Sequence, residues 1–497
     1  MTIRALCATV TGMADEGELL VAFPPGVSVP AAAVAATVAE APRVLVVLDD
    51  DPTGTQSVSD LPVLTRWEAD DFRWAFTYRT HGAFAPAVYV LTNTRSLGPD
   101  EARVRNRECV ENALAAARDT GTTLGFVSRS DSTLRGHFPL EPDVIAETLL
   151  RVAGTPTDGV VIVPAFPDAG RVTIGGVHYM RDGGALVPVA ETEFARDASY
   201  GFHHSDLAGY VEEKSQGRHR REDVVVLDLA RVRGGTDGIA DALAGVVDAT
   251  PVVVDAVTED DLRALALGLA EAERRGVRLL YRVGPPFVRS RIGQEPRDPL
   301  SRDEALGPEP APTGGLVVVG SHVGLTTRQL RVLHEGHDAR TVELSVPALL
   351  DPDRAEAHLS ETVDTVVAAL ADGDVVLHTS RDLVRSDDPA ESLDIARRVS
   401  AAVVAVVRRT LAERPPRFVV AKGGITSSDV AAHGLQIRHG IVRGPMLPGI
   451  VSLWEAVDGP GAGIPYVVFA GNVGDDRSLL DVVRTLSSTP ARTEARP

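Results

Sequence analysis

Val44-Leu45-Val46-Val47-Leu48-Asp49-Asp50-Asp51-Pro52-Thr53-Gly54-Thr55-Gln56 is the stretch whose reading decides the fold. Five apolar, largely β-branched residues predict a buried strand, and the polarity then changes abruptly to three carboxylates followed by Pro, Thr and Gly. A strand that empties into such a loop belongs to an open α/β sheet, where ligands bind in the crevice outside the carboxyl ends of the strands. Three adjacent carboxylates repel one another, so a cation, a substrate hydroxyl or a hydrogen-bond network has to take up their field.

The same strand, loop and helix pattern continues outward. Ala87 to Leu91, Thr123 to Val127, Gly159 to Val163, Val224 to Leu227, Val252 to Val254 and Leu279 to Tyr281 read as strands, with helices over Asp100 to Arg118 and Glu141 to Leu150. A second series starts at Gly315, with strands near 316–319, 341–344, 374–377, 417–421 and 466–469 and helices near 354–369 and 395–413. Strands separated by helical stretches imply βαβ units and mostly parallel sheets. A chain of 497 residues exceeds what one hydrophobic core supports. The expected layout is α/β throughout: a leader, 1–41, with a short strand near Leu19 to Val21 and an Ala-rich helix; a domain over 42–291; a Pro- and Gly-rich linker, 292–314; and a domain over 315–490, with an active-site cleft between the two domains.

Composition narrows the function classes. A net charge of -19 argues against an exposed nucleic-acid surface, and an anionic small substrate then needs a local set of Arg, Lys and amide donors. Cys7 and Cys109 have no disulfide, redox or metal-ligand spacing. Neither a secretory leader nor an apolar run long enough for a bilayer is present, so the cytoplasm is the expected location, without a membrane partner. Lys214 and Lys422 are the only lysines among 50 basic residues.

Polar clusters follow several strands. Ser128-Arg129-Ser130-Asp131-Ser132-Thr133-Leu134-Arg135-Gly136-His137 combines guanidinium forks, hydroxyls and a carboxylate, the donor and acceptor set for a polyhydroxy anion. Thr92-Asn93-Thr94-Arg95-Ser96 adds another arginine. The segments Pro164 to Arg171 and Gly175 to Gly183 suit a site wall or lid, and the histidine there reads as a hydrogen-bonded loop residue. In the second domain, Lys422-Gly423-Gly424-Ile425-Thr426-Ser427, Gly320-Ser321-His322 and Gly471-Asn472-Val473-Gly474 are three glycine-rich strand ends, jointly best explained by a nucleotide. Asp49-x-Asp51 also suits a haloacid-dehalogenase-like phosphatase with Asp49 as nucleophile and with Lys422, Asp475 and Asp476 as its later members. A non-catalytic acid-sugar-binding protein is the third reading.

With Asp50-Asp51-Pro52-Thr53-Gly54 and Asp131-Ser132-Thr133-Leu134-Arg135-Gly136 on view, the chain resembles the four-carbon acid sugar kinase family, from about Val44 to Leu480. The resemblance implies an N-terminal domain that holds the acid sugar through Asp50, Asp51, Asp131 and Arg135, with Arg95 or Arg129 as helpers. It implies a C-terminal domain that binds ATP through Gly423, Gly424, Thr426, Ser427, Gly471, Asn472 and Gly474, with Ser321 and Lys422 as further candidates. Mg²⁺ on the phosphates is implied too, though no metal ligands are assigned, and a homodimer is allowed. One of Asp50, Asp51 or Asp131 accepts the attacking hydroxyl's proton, with Asp131 narrowly favoured.

Overall fold

The computed structural model describes residues 12–382, 384 and 389–488. The start of the leader, including Cys7, and the end of the expected second domain at 489–490 lie outside the described residues. The chain divides into two compact units, one formed by Met1–Asp50 with Trp67–Pro296 and the other by Asp51–Arg66 with Arg297–Pro497. The division differs from contiguous domains in one informative place. It runs between Asp50 and Asp51, so consecutive carboxylates of the opening motif serve different units.

The first unit carries seven parallel strands in the order Val225–Leu227, Thr250–Val254, Gly159–Val163, Leu279–Val283, Leu124–Arg129, Val44–Asp49, Ala87–Leu91. Val44–Asp49 is buried along its whole length, as a central strand covered on both faces has to be. Its register sets Asp49 beside Leu91 on one neighbour and Arg129 on the other, which aligns three loop starts on one sheet edge. The helices Pro99–Thr120 and Leu140–Ala153 both end on a glycine in the left-handed region, Gly121 and Gly154, the usual stop that frees the chain to turn back into the next strand.

A small antiparallel sheet, Arg171–Ile174, Val177–Asp182 and Ala185–Pro188, forms the segment read as a site wall. Val172, Ile174, Tyr179 and Leu186 make its core, and Leu19, Leu20 and Phe23 of the leader pack against it. Around Leu19 the leader is helical, Glu16–Leu20, instead of extended as expected. Asp15 caps that helix by accepting from the Glu18 amide, and the acidic first turn favours the helix terminus. The Ala-rich helix is present as Ala31–Glu40.

The second unit holds an eight-stranded mixed sheet. Pro465–Phe469, Val419–Lys422, Leu316–Val319, Asp374–Thr379 and Ala339–Leu344 run parallel. Ile450–Ala456, His439–Leu447 and Leu61–Leu64 extend it in antiparallel fashion. Leu61–Leu64 is the segment that draws residues 51–66 into this unit. The expected linker is partly structured: Arg302–Leu306 is a helix with a Ser301/Glu304 capping box, and Leu300, Ala305 and Leu306 join the core around Phe418, Met446 and Leu453. Among the described residues no helix is long and apolar enough to cross a membrane.

Candidate active site

In the first unit the strand ends gather a dense ionic network. Arg95 grips the Asp50 carboxylate in a fork, Nε to Oδ2 at 3.1 Å and Nη2 to Oδ1 at 2.6 Å, and Ser130 Oγ donates to the same carboxylate at 2.8 Å. Arg129 donates through Nε to Asp49 and lies 3.5 Å from Asp50. Asp49, Asp50 and Arg129 are each 1% exposed. Burial pushes the Asp50 carboxyl up, but Arg95 and Arg129 outweigh it and hold the group below the usual carboxylate range. Gly136 closes the network from above: its φ is +116°, and a Cβ there would lie 2.6 Å from Ser130 Oγ and 3.0 Å from Asp50 Oδ2.

These contacts bear on two expectations from the sequence. Asp50 as proton acceptor and Arg129 as substrate clamp are enclosed, and each is satisfied by a partner inside the fold. The nucleophile of the phosphatase reading, Asp49, is equally shut away, while Asp476 pairs with Arg328 at 2.8 Å and Asp475 accepts from the Arg477 amide at a helix start.

Asp131 sits differently. It accepts from Thr133 Oγ1 and, at 2.6 Å, from Arg135 Nε, and its side chain keeps 13% exposure. Burial raises its pKa, whereas Arg95, Arg135 and the two hydrogen bonds drive it well below the ordinary range, so the group is a carboxylate at any physiological pH. Arg135 also faces Asp197 at 3.7 Å and stacks over Phe194 with its guanidinium carbon 4.9 Å from the ring centre. His178 donates from Nε2 to Ser132 O at 2.7 Å and receives Thr173 Oγ1 at Nδ1 at 2.9 Å; burial lowers its pKa to about 4, so it is a neutral structural tie that seats the small sheet on this loop.

In the second unit the three glycine-rich loops come together because their strands are neighbours in the sheet. A Cβ at Gly320 would strike Thr426 Oγ1 at 2.2 Å, at Gly423 it would meet Ser321 Cβ at 3.2 Å, and at Gly471 it would strike Ser321 Oγ at 2.6 Å. Gly423, at φ +129°, has in addition a backbone that only glycine adopts without strain. Asp51 belongs to this group: its Oδ2 lies 3.0 Å from where a Gly424 Cβ would stand, and its Oδ1 accepts from the Thr53 amide at 2.9 Å. Beside the cradle is a cavity of about 240 Å³ with walls from Val346, Val399, Val403 and Ile425 and polar edges from Thr426 and Asp429. Ser427 faces inward and donates to Ala421 O at 2.8 Å, whereas Asn472 is exposed and Gly474, at φ +84°, serves the helix start at Ser478.

Lys422, expected among the phosphate contacts, is buried beneath the loop that leads into Gly471. Its ammonium lies 3.9 Å over the Phe469 ring and donates to Ala470 O at 2.6 Å, and the residue is fully buried. Burial lowers its pKa to about 7. An unfolded lysine titrates near 10.4, so the unfolded chain binds the extra proton between about pH 7 and 10, and stability rises with pH across that window. Lys422→Met, which keeps volume without a titrating group, is expected to flatten that rise and to melt higher than the parent near neutral pH; thermal melts of both proteins at about pH 7 and 9.5 check it.

Several polar groups around both sites carry atoms whose lack of a partner is not legible in sequence. Arg381 donates to Ser321 O and Thr327 Oγ1, each at 2.7 Å, yet its Nε, like His322 Nδ1 and Thr379 Oγ1, is buried with no hydrogen-bond partner among the described residues. His322 and Thr379 line the cavity. Orphaned polar atoms at a cavity wall are what a polar ligand satisfies. Arg171 Nε in the first unit is orphaned in the same way.

The comparisons with known proteins fit this geometry. Residues 45–291 match a family model described as a sugar-binding N-terminal domain, and residues 316–479 match a nucleotide-binding C-terminal domain. The chain belongs to the four-carbon acid sugar kinase family. Among curated relatives of this family, a D-erythronate kinase of Heliobacterium modesticaldum is 27% identical over 74% of this chain and 80% of its own length. A D-threonate kinase of Cupriavidus necator is 28% identical over 74% and 82%, and one of Bordetella bronchiseptica 28% over 81% and 86%. The fold is shared with crystal structures from Salmonella typhimurium LT2 (TM-score 0.64, 20% identity, 89% of this chain and 99% of the other) and Haemophilus influenzae (0.59, 18%, 88% and 98%). As a member of the acid sugar kinase family the chain is a nucleotide-binding, kinase-type enzyme.

Proposed function

We propose that this enzyme transfers the γ-phosphoryl group of ATP to a hydroxyl of a short, four-carbon acid sugar. The observation that carries the reading is the glycine cradle around Ser321 and Thr426 beside a largely apolar cavity: close backbone approach suits phosphates, and apolar valine and isoleucine walls suit a base. In this reading Arg381 would meet a phosphate oxygen, and His322 and Thr379 would bond the nucleotide's polar edge. Asp51, with its carboxylate against the Gly424 turn, fits the modest protein share of a magnesium site, which takes one or two carboxylates and leaves the rest to phosphates and water. Magnesium there would neutralise charge on the transferring group.

On the sugar side, Asp131 accepts the hydrogen bond of the attacking hydroxyl and so aims its oxygen. In a loose phosphoryl-transfer transition state little negative charge is needed on the nucleophile, so a carboxylate of low proton affinity serves as acceptor while the proton leaves late. Arg135, steered by Asp131, Asp197 and Phe194, borders the same space.

The test is magnesium-dependent ADP formation with ATP and a panel containing D-erythronate, D-threonate, their 3-oxo relatives and neutral tetritols, with product mass read in parallel. ADP release coupled to one acid gaining a phosphoryl group is the expected result. Phosphate release from sugar phosphates without ATP, and no ADP with any acid, overturns the reading. Acid binding without turnover would support the binding-protein alternative.

A further inference from the structure

Arg95, Arg129, Arg135, Arg282 and Arg289 of the first unit each have a carboxylate within 4 Å. Arg171 is different. Its Nη1 donates to Ala169 O at 2.7 Å, its Nε is buried without a partner, and no carboxylate pairs with it among the described residues. The charges that act on it are those of Asp131, favourably, and Arg135, unfavourably.

Its position follows from the small sheet. Arg171 opens the strand Arg171–Ile174, pairs through its backbone with Phe166, and lies two residues from Thr173. Side chains two apart on a strand share a face, and Thr173 belongs to the face where His178 bonds Ser132 O. Arg171 therefore stands on the face that meets the Asp131 loop. A half-buried guanidinium without a counter-ion is costly to the empty protein, and an anionic ligand removes that cost. The paired arginines offer much less, because a substrate carboxylate would first have to displace an internal partner.

We infer that Arg171 holds the carboxylate of the acid substrate and sets the preference for an acid over a neutral polyol, with Asp131 taking a hydroxyl of the same molecule. The inference rests on the acid-sugar reading of the first unit and assigns the one contact that reading leaves open. With Nη1 held by Ala169 O, the unpartnered Nε and the Nη2 edge form the fork that would match a carboxylate in bidentate fashion, which a lysine does not.

The experiment is binding of D-erythronate, D-threonate and the matching tetritols, without ATP, by calorimetry on the full chain and its Arg171→Met and Arg171→Lys variants. The parent is expected to bind an acid well above the tetritols. Arg171→Met should weaken the acid about 30-fold or more while leaving the tetritol unchanged, and Arg171→Lys should recover part of the loss. The ligand-free melting temperature of Arg171→Met should equal or exceed the parent's, because an unpaired buried cation has been removed. Acid affinity within about threefold of the parent, equal weakening of acid and tetritol, or no acid binding by the parent overturns the assignment; so does a lowered melting temperature with an intact acid-to-polyol ratio. If acids bind through Arg171 but no ADP forms, the kinase reading fails and this one stands. If ADP forms and Arg171→Met keeps its affinity for the acid, the reverse holds.

Discussion

Asp131→Asn is expected to lower kcat by about 10²-fold or more at saturating acid and ATP, the range a positioned proton acceptor contributes. KM for ATP should stay within about threefold, because Asp131 belongs to the sugar side. The fold should survive: the side chain is partly exposed, and Arg135 keeps Asp197 and the Phe194 ring when Asp131 loses its charge. What changes is the acceptor. An amide accepts at one oxygen and presents an N–H toward Arg135 and the substrate hydroxyl, where the carboxylate accepts at two. Steady-state kinetics with a melt of the same preparation check the outcome, and a kcat within about threefold of the parent would remove Asp131 from the reaction. The pH profile adds an independent sign. Since Arg95 and Arg135 hold the carboxylate ionised, kcat should show no acidic limb from Asp131 between about pH 5 and 8, whereas a base of raised pKa would lose activity through that range as pH falls.

How much of this was readable beforehand depends on the kind of signal. The parallel strands were legible because each is a short apolar run bounded by polarity change, and a strand buried on both faces needs nothing else. His439–Leu447 and Ile450–Ala456 were not, since Gly440, Gly444 and Pro445 break the first run and its pairing shifts at Val442/Gly444. The small sheet from Arg171 to Pro188 hid in a sequence rich in loop residues. Among the helices not read from sequence are two whose signals lay in stretches given another reading: Ser301-Arg302-Asp303-Glu304 is a capping box inside a stretch taken as linker, and Asp15 with Glu16 and Glu18 is an N-terminal signature where a strand was expected.

The site divided along similar lines. Local motifs identified which loops matter, because glycine and carboxylate chemistry at a strand end is written in consecutive residues. Sequence left open which charges face a ligand and which face each other. Arg129 and Arg135 lie six residues apart in one motif, yet the first is internal and the second borders the site, because strand register carries Arg129 against Asp49. Arg171 and Arg381 had no spacing to mark them in an arginine-rich chain. What draws attention to them is an unfilled hydrogen bond, shared with Arg263, Arg291, Arg414 and Arg484, together with their place beside the site loops, and both exist only after folding.

Asp50→Ala should instead act on stability, by about 3–5 kcal/mol, the range for breaking a buried ion pair by deleting one partner. Asp50 is 1% exposed and receives Arg95 twice, Ser130 once and the field of Arg129. Without it Arg95 loses the two-point grip on this carboxylate, and the buried space beneath Gly136 loses its negative charge. The pH dependence has a definite sign. Asp50 has a folded pKa below its unfolded value, so its contribution is fully present above about pH 4 and is lost as pH falls through the lower, folded pKa. Denaturant midpoints at neutral pH should therefore fall sharply for Asp50→Ala and little for Asp131→Asn. The parent's advantage over Asp50→Ala should shrink in acid. Were Asp50→Ala to melt with the parent and lose only turnover, the carboxylate would have to meet the substrate, and the internal network would open when the acid binds. The two substitutions thus separate a carboxylate that builds the sheet edge from one that uses it, although both follow a β-strand in the same unit and both sit beside an arginine.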